Sequence, residues 1–119
     1  MRIELPIKIR SLNKSSRGWQ GKYFSYTKPV RAEVGLVVKS AANRCRLPFV
    51  PPLFIRITRI GAKPLDKDNL AGGCKPVRDG VADGLGLKDD AESTGLSWVY
   101  EQRRGAPKEY GCIIEVERR

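Results

Sequence analysis

Apolar side chains recur at Leu70, Cys74, Val77, Val81 and Leu85, at steps of four, three, four and four residues. That spacing lies on one face only when the chain is helical, so this stretch is predicted to form an amphipathic helix packed against other elements. Asp68 stands where an N-cap belongs, and Gly84 and Gly86 mark the end. Pro76 removes the hydrogen bond to the Gly72 carbonyl, which predicts a kink, or a short turn followed by a fresh helix.

The remaining elements follow from similar patterns. Ile3, Leu5, Ile7 and Ile9 alternate with Arg2, Glu4, Lys8 and Arg10, which reads as a strand buried on one face. Pro6 cannot join a hydrogen-bond ladder, so this strand is expected at a sheet edge or broken there. Residues 11–26 are polar, basic and interrupted by glycine and serine, and read as a loop or loose hairpin. Thr27 and Pro29 are start signals for a first helix, with Val30, Val34, Val37, Val38 and Ala41 at helical spacing and Arg31 and Lys39 outward. The tract LPFVPP stops it, and Leu53–Ile60 reads as a buried strand interrupted by Arg56 and Arg59. Leu96–Gln102 and Tyr110–Val116 alternate on either side of a short turn and are expected to form a hairpin. The expected fold is therefore α+β, a single domain over residues 1–119, with a mixed sheet and two helices in the order β-α-β-α-β-β.

Composition narrows the chemistry. The chain has no histidine, which excludes imidazole bases and His-ligated zinc. Its three cysteines are widely spaced and read as reduced packing residues. No apolar run approaches a membrane span and no secretory signal pattern follows the basic start, so the expected location is the cytoplasm. The net charge of +10 is uneven, +11 over residues 1–60 and −1 over residues 61–119. A basic half beside an acidic one fits a protein that holds a polyanion with one surface and acts on it with another. Lys14, Arg17, Lys22, Lys28 and Arg31, several of them interleaved with Trp19, Tyr23, Phe24 and Tyr26, are the candidate DNA-binding residues. The plainer role for Tyr23 and Phe24 is to cap the core.

The acidic residues concentrate in Pro64–Ala91, which holds six of the thirteen. Asp66 and Asp68 open this stretch and Asp89 and Asp90 close it. Carboxylates without histidine or thiol partners suit Mg²⁺, a hard ion that keeps waters and accepts phosphate oxygens. An EF-hand is excluded because Leu70 occupies a ligand position. Asp66-Lys67-Asp68-Asn69 alone is an ordinary loop or cap sequence, and a pair of aspartates before a strand is common.

The combination of Asp66-Lys67-Asp68-Asn69-Leu70, a Lys75–Asp79 pair and Leu87-Lys88-Asp89-Asp90-Ala91, between a strand and the expected final hairpin, resembles the RusA family of Holliday-junction resolvases. The resemblance spans most of the chain, more weakly at Leu5-Pro6 and the first helix. It implies a small homodimeric endonuclease, commonly encoded by phages or prophages, that uses Mg²⁺ or alternatively Mn²⁺. Such an enzyme nicks two strands of a four-way junction symmetrically in DNA recombination and repair, in a bacterial cell or phage-infected host. By the same resemblance Asp66, Asp68 and Asp90 are the metal ligands and catalytic carboxylates, and a helix lysine assists cleavage. The family spacing would put that lysine at position 72, which is glycine here, and Lys75 stands three residues further on. Asn69, Asp79 and Asp89 are candidates for supporting roles, with Asp79 also able to pair with Lys75 at i, i+4.

Two alternatives stay open on the residues alone. One is a nuclease for other branched DNA, such as flaps or forks, and the other a junction-binding protein without turnover. An RNA-binding role would leave the three aspartates without a purpose.

Overall fold

The computed structural model describes residues 1–11, 19–46, 48–88 and 95–119, with side chains in the first helix from Ser25 onward. In chain order the elements are β1 (Arg2–Leu5), α1 (Trp19–Asn43), β2 (Leu53–Gly61), α2 (Lys67–Gly84), β3 (Leu96–Arg104) and β4 (Gly111–Arg118). The α+β class, the mixed four-stranded sheet and the element order agree with the sequence reading. Among the described residues no helix is long and apolar enough to cross a membrane.

The sheet runs β1-β4-β2-β3. β4 is antiparallel to both β1 and β2, whereas β2 and β3 run parallel, with α2 as the connection between them. The expected hairpin of the last two strands does not form, because β2 lies between them. Parity explains why β2 takes the centre. Leu53, Ile55 and Ile57 face the helices and are wholly buried, and the opposite face still needs neighbours to cover Thr58. A central position gives this most apolar strand ladder partners on both edges. The turn at 105–110 therefore crosses the end of β2, a span of roughly 10 Å at ordinary strand spacing. There the Gly105 N–H donates to the Gly61 carbonyl at 3.0 Å.

β1 stops at Leu5, before Pro6, as the missing proline donor requires. The chain beyond it keeps its alternation, so Ile7 and Ile9 remain buried. One hydrophobic cluster joins Ile3, Leu5, Ile55, Ile57, Trp98, Ile114 and Val116 on a single sheet face to Val34, Val38, Cys74, Val77 and Val81 on the helices.

α1 starts at Trp19, eight residues before Thr27, and so replaces the loop or hairpin expected over 19–26. The overriding force is tertiary. Tyr26 is buried, donates its hydroxyl to the Gly73 carbonyl at 2.8 Å and accepts from the Arg10 N–H at 3.2 Å. These contacts outweigh the local cost of Gly21 and of Pro29 within the helix. α2 likewise continues through Pro76, which is itself part of the core. The carbonyl that loses its partner belongs to exposed Gly72, where water can satisfy it.

The two helices approach closely where glycine removes the obstacle. A Cβ at Gly80 would lie 2.7 Å from the Val34 Cβ and 2.8 Å from the Arg31 carbonyl oxygen. One at Gly84 would meet Val38 at 2.7 Å. Arg31 closes the seam from outside, with its Nε 2.7 Å from Asp83 Oδ2, Nη2 3.0 Å from Asp83 Oδ1 and Nη1 3.9 Å from Asp79 Oδ2. After Leu85 the chain turns through Gly86 at φ +71°, the left-handed geometry that ends helices.

Candidate functional site at the head of α2

The parallel β2-α2-β3 unit delivers the first aspartate pair to the carboxyl ends of its strands, where open parallel sheets present their crevices. Asp66, not Asp68, is the N-cap of α2. Its backbone is extended (φ −68°, ψ 169°), and its Oδ1 accepts the Asn69 N–H at 2.8 Å. Asn69 also donates its side-chain amide to Asp66 Oδ2 at 3.1 Å. Both oxygens of Asp66 are thus engaged by one neighbour, each with a further lone pair to offer. Asp68 lies in the first turn, exposed, where the helix dipole favours an anion.

The segment carrying these aspartates is held by two side chains that the sequence reading passed over. Arg59 continues the inward parity of Leu53, Ile55 and Ile57, so its guanidinium enters the protein. It is only 8% exposed. Its Nε donates to the Ile9 carbonyl at 3.0 Å, and its Nη1 to the Lys63 carbonyl at 2.9 Å and to Gln102 Oε1 at 3.4 Å. Gly61 leaves room for this head group, since a Cβ there would lie 2.7 Å from the guanidinium carbon. Gln102 has the inward parity of Leu96, Trp98 and Tyr100 and meets Leu65 twice, accepting its N–H at 2.8 Å and donating to its carbonyl at 2.7 Å. Period-two parity within each strand was the signal available for both residues, and the apolar content of β2 masked it.

Lys75 sits on the same helix face as Asp68, at i+7, a rise of roughly 10 Å. Its ammonium is 2.9 Å from Asp79 Oδ1, the i, i+4 pair anticipated from sequence. Between Asp68 and Lys75 on this face stands Gly72, and a Cβ there would meet nothing within 4 Å. On the neighbouring face Arg78 lies 4.8 Å from the Trp98 ring centre and donates to the Tyr100 hydroxyl at 3.0 Å.

Of the proposed DNA-contacting cations, Lys28 is exposed on α1, whereas Arg31 is paired with Asp83 and Asp79. The Arg31 guanidinium hydrogen-bonded to Asp83 holds that carboxyl below its usual range. Lys14 and Arg17 lie outside the described residues, as does the side chain of Lys22. Asp89 and Asp90 also lie outside them, so of the expected set the structure joins Asp66 to Asn69, with Asp68 in the first turn of the same helix. Among the described residues no three acidic, histidine or cysteine side chains gather as a metal site. The donor chemistry of the pair nevertheless fits a hard cation, because Asp68 is an exposed carboxylate and Asp66 keeps spare lone pairs.

Burial pushes the Cys74 and Cys112 thiols up to about 12, which makes them packing groups without nucleophilic character at neutral pH. Tyr26 is pushed up to about 12 in the same way. No model of a known protein family matches the chain, and no curated protein is significantly similar to it.

Proposed function

We propose that the chain is a magnesium-dependent endodeoxyribonuclease for branched DNA, with four-way junctions as its substrate and a homodimer as its working form. The observation that carries this reading is the pair Asp66 and Asp68 at the head of α2, displayed on a segment clamped by Arg59 and Gln102. Asp66, Asp68 and Asp90 would hold the metal. When bound, Mg²⁺ supplies polarisation of the phosphodiester and a water of lowered pKa.

The chain's own residues do the positioning. Asn69 fixes the Asp66 carboxylate through two donors, and Gln102 fixes the backbone one residue earlier. Lys75 offers positive charge toward a phosphate whose negative charge grows during cleavage, and Asp79 orients its ammonium meanwhile. A two-fold dimer would present two such sites to the two-fold symmetric arms of a junction.

A second reading, binding of junctions without turnover, is favoured by a specific feature. Lys75 is already engaged by Asp79, and position 72, nearer to Asp68, carries no side chain. One experiment separates the two. Wild type, Asp68→Asn and Asp90→Asn are incubated with a labelled mobile four-way junction in Mg²⁺ and in EDTA. Paired nicks in wild type with Mg²⁺ alone, lost in both variants while binding persists or strengthens, are expected. Tight binding with no nicks in any condition would establish the second reading, and a flap or fork cut faster than the junction would reassign the substrate.

A further inference from the structure

Judged by halves of the sequence, the C-terminal half is nearly neutral, yet its charges separate in space. Among the described residues four of its acids pair with arginines. Asp79 and Asp83 face Arg31, and Glu101 and Glu115 flank Arg56 at 3.4 and 3.6 Å. Its cations collect elsewhere. Arg103 and Arg104 are opposite Ile60 and Gly61 at the carboxyl end of the parallel pair, and Lys108 follows in the turn that crosses the end of β2. Lys63 precedes the aspartates and Lys67 lies between them, on the segment that Gln102 ties to β3 through Leu65. Lys8, from the chain beyond β1, reaches the same end, with its ammonium 4.8 Å from the Tyr110 ring centre.

All of these side chains are exposed, and among the described residues none of them forms an ion pair. Among the described residues Glu109 also shares this end with Asp66 and Asp68, and its carboxylate lies 3.5 Å from the Ala106 N–H. The opposite end of the sheet differs. There Arg118 and Arg119 lie over Phe49 and Phe54, with ring-centre distances of 4.1 and 5.0 Å.

We propose that the carboxyl end of β2 and β3, with Arg103, Arg104 and Lys108 from β3 and its following turn and Lys63 and Lys67 from the segment that carries the aspartates, is the track for a DNA sugar-phosphate backbone. The choice of DNA rests on the function proposed above, whereas the polyanion-binding surface rests on the distribution of charge. Unpaired cations keep their counterions free to exchange for phosphate, which is the source of sequence-independent affinity. Paired ones such as Arg31 and Arg56 would first have to give up a carboxylate. The track is distinct from the N-terminal cations expected from sequence, and it carries the strand directly past Asp68.

The test is binding to a synthetic four-way DNA junction in EDTA, where no cutting intervenes, over a series of salt concentrations. Arg103→Gln with Arg104→Gln is expected to make the salt dependence shallower by about 1.8 in log–log slope and to weaken affinity on the order of 50-fold near 0.1 M salt. Lys63→Gln with Lys67→Gln is expected to do the same, and serves if the first pair does not fold. Lys39→Gln with Arg44→Gln, on the distal half of α1 and just past its end, is expected to change neither quantity. Retention of wild-type slope by both test pairs, or an equal loss in the control pair, would overturn the track. Tighter binding of an RNA duplex than of the DNA would overturn the choice of DNA. Absence of Mg²⁺-dependent nicking would defeat the catalytic proposal alone and leave this result standing.

Discussion

The side-chain amide of Gln102 pairs with both backbone groups of Leu65, accepting at 2.8 Å and donating at 2.7 Å. It acts as one extra rung of sheet between β3 and the segment that enters α2. Replacement by alanine frees the Leu65 N–H and leaves the segment before Asp66 held from the sheet side by the Arg59 bond to the Lys63 carbonyl. Two neutral hydrogen bonds near solvent contribute about 1 kcal/mol each at most. Gln102→Ala is therefore expected to speed hydrogen exchange at Leu65 several-fold or more, to reduce Mg²⁺-dependent nicking, and to lower global stability by no more than about 2 kcal/mol. Unaltered exchange at Leu65 would remove Gln102 from the site.

Arg59 is a different case because its donors are buried with the carbonyls they satisfy. Arg59→Met preserves much of the aliphatic volume but orphans the Ile9 and Lys63 carbonyls. The expected loss is about 2–4 kcal/mol, read as a lower urea midpoint. Arg59→Lys recovers only part of it, since an ammonium cannot reproduce the planar fork that spans three acceptors.

Glycines of α2 should respond in opposite directions. Gly80→Ala drives a Cβ into Val34 and the Arg31 carbonyl, and is expected to cost about 1–3 kcal/mol as the helices separate. Gly72→Ala meets nothing and gains helix propensity, so stabilisation by up to about 1 kcal/mol is expected. Gly72→Lys adds a cation one turn from Asp68. If the nuclease reading is right, this variant nicks a junction at least as fast as wild type even when Lys75→Ala is introduced alongside it.

Alkaline stability follows from Cys74, Cys112 and Tyr26. Burial raises each toward about 12, so the unfolded chain releases these protons first. The stability they contribute is complete below about pH 9 and is lost as pH climbs toward 12, by up to about 1.4 kcal/mol per group and pH unit. Urea midpoints at pH 7, 9 and 10.5 should fall progressively beyond pH 9, and Cys112→Ala should flatten that fall. On the acid side Asp83 behaves oppositely. Its pairing helps above the ordinary carboxylate range and fades as pH drops through its lowered value. Because Asp83 is 46% exposed, solvent screening limits that effect to a fraction of a kcal/mol.

Much of this architecture was readable from near neighbours. The stripe from Leu70 to Leu85, the alternation from Ile3 to Ile9, the break at Pro6 and the turn at Gly86 depend on periods and dihedral limits that act within a few residues. Local rules failed where distant groups supplied the deciding energy. Tyr26 reached Gly73 and drew α1 back to Trp19, and α2 ran through Pro76 with that residue in the core. Asp66 took the cap in place of Asp68 once Leu65 was clamped by Gln102.

Strand order belongs to the second group. Alternation assigns each strand a buried face, yet it contains nothing about which strand lies beside which, and β2 between β3 and β4 is a choice made by pairing across the whole chain. Charge behaves likewise. Residue types and counts are written in the chain, but whether Arg31 meets Asp83 while Arg103 meets no acid among the described residues is settled by folding, because electrostatic pairing depends on distance in space and not on position along the polymer.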